Sequence, residues 1–122
     1  MPRILGAFLA ALLHLFPHHI GMSTVFGNGD GQFRQSWACA SPARRQEQSE
    51  LSRRLEDAGH VVAHRSARCW SLVLVLLDGG RFAISTVGDR GPHKPRLLDL
   101  WHPFAQLMRH NGLEPATIVE IP

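Results

Sequence analysis

The sequence predicts an α+β domain: a helix, a three-stranded antiparallel sheet, a second helix and a short terminal strand. Three observations lead there. A segment opening on Ser41-Pro42 and stopped by Gly59 sets Leu51, Leu55 and Ala58 on one helical stripe. Asp78-Gly79-Gly80 separates two aliphatic runs, as a hairpin turn would. A second apolar-periodic stretch stops at Gly112.

The elements follow in chain order. Residues 4–16, ILGAFLAALLHLF, are strongly apolar behind a lone Arg3. They resemble the n-region and h-region of an export signal, and are too short for a bilayer, which takes roughly 20 residues. No A-x-A site follows closely, since Ala38-Cys39-Ala40 lies far downstream. Met22 opens MSTVFGNGDG, which reads like an ordinary start. Three readings stand for residues 1–21: an upstream extension, an export signal or membrane anchor, or a packed helix. Residues 22–42 read as a loop-rich linker. Its run from Gly27 to Gly31 has neither the G-K-[ST] of a phosphate loop nor the closing acid of a calcium loop.

The single domain is expected at 43–122. Its first helix spans 43–58, with Gln46, Glu47, Arg53, Arg54, Glu56 and Asp57 toward solvent. Strands are expected at His60–Ala67, Cys69–Leu77 and Arg81–Val87, the middle one central because it is apolar on both faces. Residues 88–96 form a loop. A helix at Leu97–Asn111, kinked at Pro103, packs Leu97, Leu100, Trp101, Phe104, Leu107 and Met108, and Ala116–Ile121 is the terminal strand.

A chain of 122 residues with 44% hydrophobic and 19% charged residues holds one globular domain. Its net charge is +3, carried by twelve arginines and the single Lys94. Arginine suits phosphate, but so small a net charge does not by itself establish a nucleic-acid partner. Cys39 and Cys69 match neither a zinc ribbon nor C-x-x-C. They would pair in an oxidising compartment and stay reduced in the cytoplasm.

His60 and His64 share a strand face with Cys69 nearby, but no further ligand completes a metal site, and none is expected. His64 and Cys69 are odd-spaced and would face opposite ways, which disfavours a nucleophile pair. Trp37, Trp70 and Trp101 read as packing residues. No G-x-S-x-G or H-E-x-x-H is present. The chain is therefore expected to be no enzyme and to hold no cofactor.

The segments ELSRRLEDAGHVVAHRSARCW, DGGRFAISTV and FAQLMRHNGL resemble the HicA family of bacterial mRNA-interferase toxins, a double-stranded-RNA-binding-like fold. The matching features are Ala58-Gly59 before the first strand, Asp78-Gly79 in the hairpin and Gly112-Leu113 after the closing helix. That family's Gly-Ser-His signature falls here on Ala67, Arg68 and Cys69, and the proline usual after the third strand is Val87 or Gly88. The resemblance implies RNA binding without cleavage. Arg65, Arg68, Arg81, Arg90, Lys94 and Arg96 would supply the phosphate contacts. The partner is then RNA or a small protein, and the location cytoplasmic. The alternative is a secreted or membrane-anchored protein acting through protein contacts, with a membrane partner only if residues 1–21 are genuine. A non-functional reading frame would suit the lack of Tyr, but the orderly element signals oppose it.

Overall fold

A computed structural model describes residues 16–27, 33–92 and 96–122. Six strands form its body: β1 (His18–Phe26), β2 (Val61–His64), β3 (Leu72–Leu77), β4 (Phe82–Asp89), β5 (Arg96–Trp101) and β6 (Glu114–Ile121). They close into a barrel in the order β1-β5-β2-β4-β3-β6. The pairs β1–β5 and β2–β4 are parallel, and the other four are antiparallel. Among the described residues three short α-helices decorate it: α1 (Pro42–Arg45), α2 (Glu50–Asp57) and α3 (His102–Leu107).

The expected three-stranded antiparallel sheet between two helices is thus replaced by a mostly β, six-stranded mixed barrel. Two segments account for the difference. β1 lies where the N-terminal segment and the linker were expected to meet, and it pairs with both β5 and β6. β5 occupies the first part of the expected helix at Leu97–Asn111. Leu98 and Leu100 point into the core while Asp99 and Trp101 point outward, the two-residue period of a strand. Pro103 lies in the first turn of α3 rather than kinking a longer helix, so the helix begins there and cannot extend backward.

The helix expected at 43–58 is also divided. Ser41 Oγ accepts from Arg44 N, and Ser49 Oγ accepts from Ser52 N at 3.1 Å, so each half has its own cap. Gly59, at φ +89°, ends α2 as expected. The buried side of α2 carries Ser52 and Glu56, whereas Leu51 is 51% exposed, which reverses the predicted stripe. Leu107, expected in the core, is exposed as well. The β3–β4 hairpin forms as expected, running from Leu72↔Thr86 to Leu76↔Phe82 around Asp78–Gly80.

Inside the barrel, Val73, Val75, Leu77, Leu98, Leu100 and Ile118 pack with Phe104 and Met108. A second cluster lies on the outer surface: Phe26, Trp37, Cys39, Val61, Ala63, Cys69 and Trp70. It forms beneath a strap, residues 33–48, that crosses the barrel wall and is tied to it by a Cys39–Cys69 disulfide. The reduced thiols expected for a cytoplasmic protein are therefore not what the fold contains. No described helix is long and apolar enough to cross a membrane.

Candidate functional site

The strand registers bring four residues into one row on the outer wall. Thr24 of β1 pairs with Asp99 of β5, Asp99 with Ala63 of β2, and Ala63 with Asp89 of β4. In-register neighbours point to the same side of a sheet, and Ala63 belongs to the outer cluster, so the row faces outward. Two carboxylates thus flank one alanine methyl, their Cα atoms about 10 Å apart at two strand spacings.

Each acid is held. Thr24 Oγ1 donates to Asp99 Oδ1. Asp89 Oδ1 accepts from Ala38 N at 2.7 Å and from Arg90 N at 2.8 Å, so the strap's backbone seats that carboxylate. A bulge in the β2–β4 pairing sets Asp89 opposite Ala63. Gly88 permits the close approach beside it, since a Cβ there would lie 2.7 Å from Val61 Cγ1 and 3.0 Å from the Trp37 ring.

Aromatic rings border the row. Trp101, two residues beyond Asp99, is half-buried and meets Trp37 edge-on at 4.9 Å, and Trp37 meets Phe26 at 6.1 Å. Trp70 Nε1 donates to Cys39 O. The tryptophans thus do the packing assigned to them from sequence. Arg34 stands 5.9 Å over Trp101 and Arg45 4.5 Å over Trp70. Both guanidiniums meet Glu56, which is fully buried and also accepts from Gln48 Nε2. Burial pushes the Glu56 carboxyl up, but its bonds from Arg45, Gln48 and Arg34 hold it below the ordinary range.

Two histidine clusters lie apart from the row. At one end of the barrel, buried His64 accepts at Nδ1 from Ser66 N and Ala67 N, which leaves the ring proton on Nε2. Burial, the neighbouring His19 ring and the charges of Arg65 and Arg90 lower its pKa, against a weaker pull from Glu120. That tautomer has no lone pair left at Nε2 for a metal. No group of metal-ligating side chains occurs among the described residues.

Ser23 and His110 form the other cluster. Gly112 N donates to His110 Nδ1, so His110 Nε2 donates to Ser23 Oγ at 2.7 Å, and Ser23 donates onward to Glu114 O at 2.9 Å. The serine proton is committed to a carbonyl and the hydroxyl is buried, so the pair is a structural tie and no nucleophile.

Of the six basic residues expected to contact phosphate, the five arginines, which lie among the described residues, are not gathered into one patch. Arg81 enters β4 and is held by Asp78 O, Met108 O, Arg109 O and the Glu114 carboxylate. Arg90 follows the other end of that strand and donates to His64 O and Ala67 O. Arg65 donates to Pro92 O and Arg96 O. Three of these five guanidiniums are therefore engaged with the protein's own backbone. Arg68 is exposed and lines a cavity of about 510 Å³ with Glu47, Ser71 and Ile121, and Arg96 starts β5. Lys94 lies outside the described residues. Sequence reasoning missed Thr24, Asp89, Asp99 and Trp101 as a group. Their only local signal was the alternation of Leu98-Asp99-Leu100-Trp101.

No protein-family model matches this chain, and no curated protein matches it. Among solved structures it is similar to that of an apo expansin from Clavibacter michiganensis, with a TM-score of 0.53 at 18% identity. The match covers 87% of this chain and 51% of that one, so this chain spans about half the length of that protein. The likeness is one of fold. It overturns the HicA and double-stranded-RNA-binding resemblance, and with it the RNA-binding and toxin–antitoxin reading: the topology shared is that of a β-rich protein, not of a helix-flanked sheet.

Proposed function

We propose that this barrel binds a cell-wall polysaccharide through the partly exposed Asp99 and Asp89, which flank the buried Ala63, with Thr24 and Trp101 beside them, and that it works outside the cytoplasm. The observation that carries the proposal is the row itself: two carboxylates astride a small residue, with Trp101 alongside. Carboxylates accept hydrogen bonds from sugar hydroxyls, and an indole face covers the apolar face of a sugar ring. The fold likeness to an expansin favours carbohydrate as the ligand class. The disulfide favours an oxidising compartment and so the exported alternative over the cytoplasmic one.

We also propose binding without bond cleavage. A glycosidase needs one carboxyl to protonate the leaving oxygen and a second to act as base or nucleophile. Asp89 already accepts two backbone N–H groups and Asp99 accepts from Thr24, so both serve here as positioned acceptors.

Co-sedimentation with insoluble cellulose, chitin and peptidoglycan tests the reading. Asp99→Ala and Trp101→Ala should each weaken retention about tenfold, the equivalent of about 1.4 kcal/mol, while circular dichroism stays unchanged. Failure of the native protein to bind all three polymers at micromolar concentration refutes it. Release of reducing ends that disappears in Asp99→Asn would refute only the statement about cleavage.

A further inference from the structure

A cavity of about 510 Å³ between the strap and α2 plays no part in the row of carboxylates. It is lined by Arg34, Arg45, Arg53, Gln48, Glu56 and Asp57, so three guanidiniums meet two carboxylates there. Arg34 joins the cavity to the row, because the same guanidinium stands 5.9 Å over the Trp101 ring. The buried acceptor is filled. Glu56 Oε1 accepts from Arg45 Nη1 and Gln48 Nε2, and Glu56 Oε2 accepts from Arg34 Nε and Nη2. Asp57 is turned to solvent and takes one bond, from Arg34 Nη2 at 3.1 Å.

The donors are not filled. Arg34 Nη1, Arg45 Nε, Arg45 Nη2 and the exposed Arg53 guanidinium have no partner among the described residues. Arg45 is the best placed of them. Both its bonds leave from Nη1, to Glu56 Oε1 and to Gln48 Oε1 at 3.1 Å. Its Nε–H and one Nη2–H therefore lie parallel on an unused edge, the fork that receives the two oxygens of an anion. Glu56 and the Trp70 ring, 4.5 Å from the guanidinium carbon, hold that fork in one orientation. Little side-chain entropy is then lost when the fork is used. The side chain keeps 32% of its surface in solvent.

We propose that this cavity takes a carboxylate carried by the bound polysaccharide, with Arg45 as its bidentate donor and Arg53 as a second cation. The ligand is then an acidic sugar chain, a polymer bearing uronate groups, one of which enters the cavity while a neighbouring ring lies against Trp101 and Asp99. The inference rests on the polysaccharide reading and adds the class of polymer.

Calorimetric titration of the full chain at low salt with polygalacturonate and with its methyl ester tests this. The ester keeps the sugar rings and removes the charge, so its binding reports the row, and the ratio of the two affinities reports the cavity. The native protein should bind the acid form about tenfold more tightly, the worth of one charge-assisted fork. Arg45→Lys keeps a cation beside Glu56 but has no fork, and should remove most of that preference. Arg53→Gln should lower it about threefold, as loss of an exposed ion pair would. Asp99→Ala should weaken both forms alike. Should Arg45→Lys unsettle the fold by circular dichroism, Arg53→Gln decides. Equal affinity for acid and ester overturns the inference and leaves the row standing. So does an acid preference that both arginine variants retain, or polyphosphate binding as tightly as polygalacturonate, which is charge without sugar. Binding of the acid form alone, unchanged by Asp99→Ala, would sink the row and leave the cavity. Binding of neither form overturns both.

Discussion

Reducing the Cys39–Cys69 disulfide should destabilise the fold by about 3.6 kcal/mol. The figure follows from closing a 30-residue loop, for which the loss of unfolded-chain entropy is about 12 cal/mol/K at 25 °C. A chain of 122 residues unfolds with about 0.26 kcal/mol/K of entropy, so the expected fall in Tm is about 14 °C. Little native enthalpy should be lost, because Cys39 and Cys69 are both buried beside Trp37 and Trp70 and a buried thiol packs as a small hydrophobe. Thermal unfolding followed by near-UV circular dichroism, with and without a phosphine reductant, measures the shift. The double variant Cys39→Ala/Cys69→Ala should show a similar fall that reductant no longer changes. Two titratable thiols in the non-reduced protein, or a shift below about 3 °C, would refute the reasoning and weaken the extracytoplasmic reading with it.

Three further outcomes are expected. Glu56→Gln should cost about 3 kcal/mol by urea unfolding, because it strips the buried partner from Arg34 and Arg45. Ser85→Ala should be neutral or stabilise by up to about 1 kcal/mol, since that hydroxyl is buried with no hydrogen-bond partner among the described residues. Stability should fall in two stages on acidification. His64 and His110 have pKa values below the ordinary 6.5, His110 chiefly through burial, so the unfolded chain takes up their protons first and stability drops as pH passes below about 6.5. Glu56 and Glu114 lie below the ordinary 4.5: burial pushes both up, but their hydrogen bonds, from Arg45, Gln48 and Arg34 and from Arg81 and Asn111, prevail. Their contribution is present above pH 4.5 and is lost as pH falls further. Urea midpoints at pH 7.5, 5.5 and 3.5 measure both stages, and Asn in place of the two histidines should remove the first.

What the sequence disclosed was what local chemistry decides. Asp78-Gly79-Gly80 specifies a hairpin because its glycines take positive φ, and Gly59 stops α2 for the same reason. Residues 97–101, LLDLW, are too few to separate a period of 2 from one of 3.6, so a helix extended backward from Phe104 and a strand fit them equally well. The decisive residue was Pro103, which reads equally as a kink or as a first turn until β5 is seen paired on both sides. β1 was hidden differently. Its partners Arg96–Trp101 and Glu114–Val119 lie more than 70 positions away, and no residue of HHIGMSTVF announces a parallel pairing at that distance. The stripe of α2 misled because Glu56 is buried, a position that only the distant Arg34 and the nearby Arg45 and Gln48 make tolerable.

The site was illegible for a related reason. Asp89 and Asp99 come from β4 and β5, and they flank an alanine contributed by β2, between two strands that do not touch each other. The arginines invited the opposite electrostatics. An excess of guanidinium over carboxylate reads as a surface awaiting phosphate, but the irregular connections between barrel strands leave backbone carbonyls without ladder partners. Arginine has five donors with which to satisfy them. Arg65, Arg81 and Arg90 do this for seven carbonyls, those of Pro92, Arg96, Asp78, Met108, Arg109, His64 and Ala67, with Arg81 also bound to Glu114. Arg34 and Arg45 turn toward Glu56. With these cations engaged by the chain itself, the outer row presents carboxylates and an indole, and it is on this surface that the proposed binding of sugar hydroxyls rests.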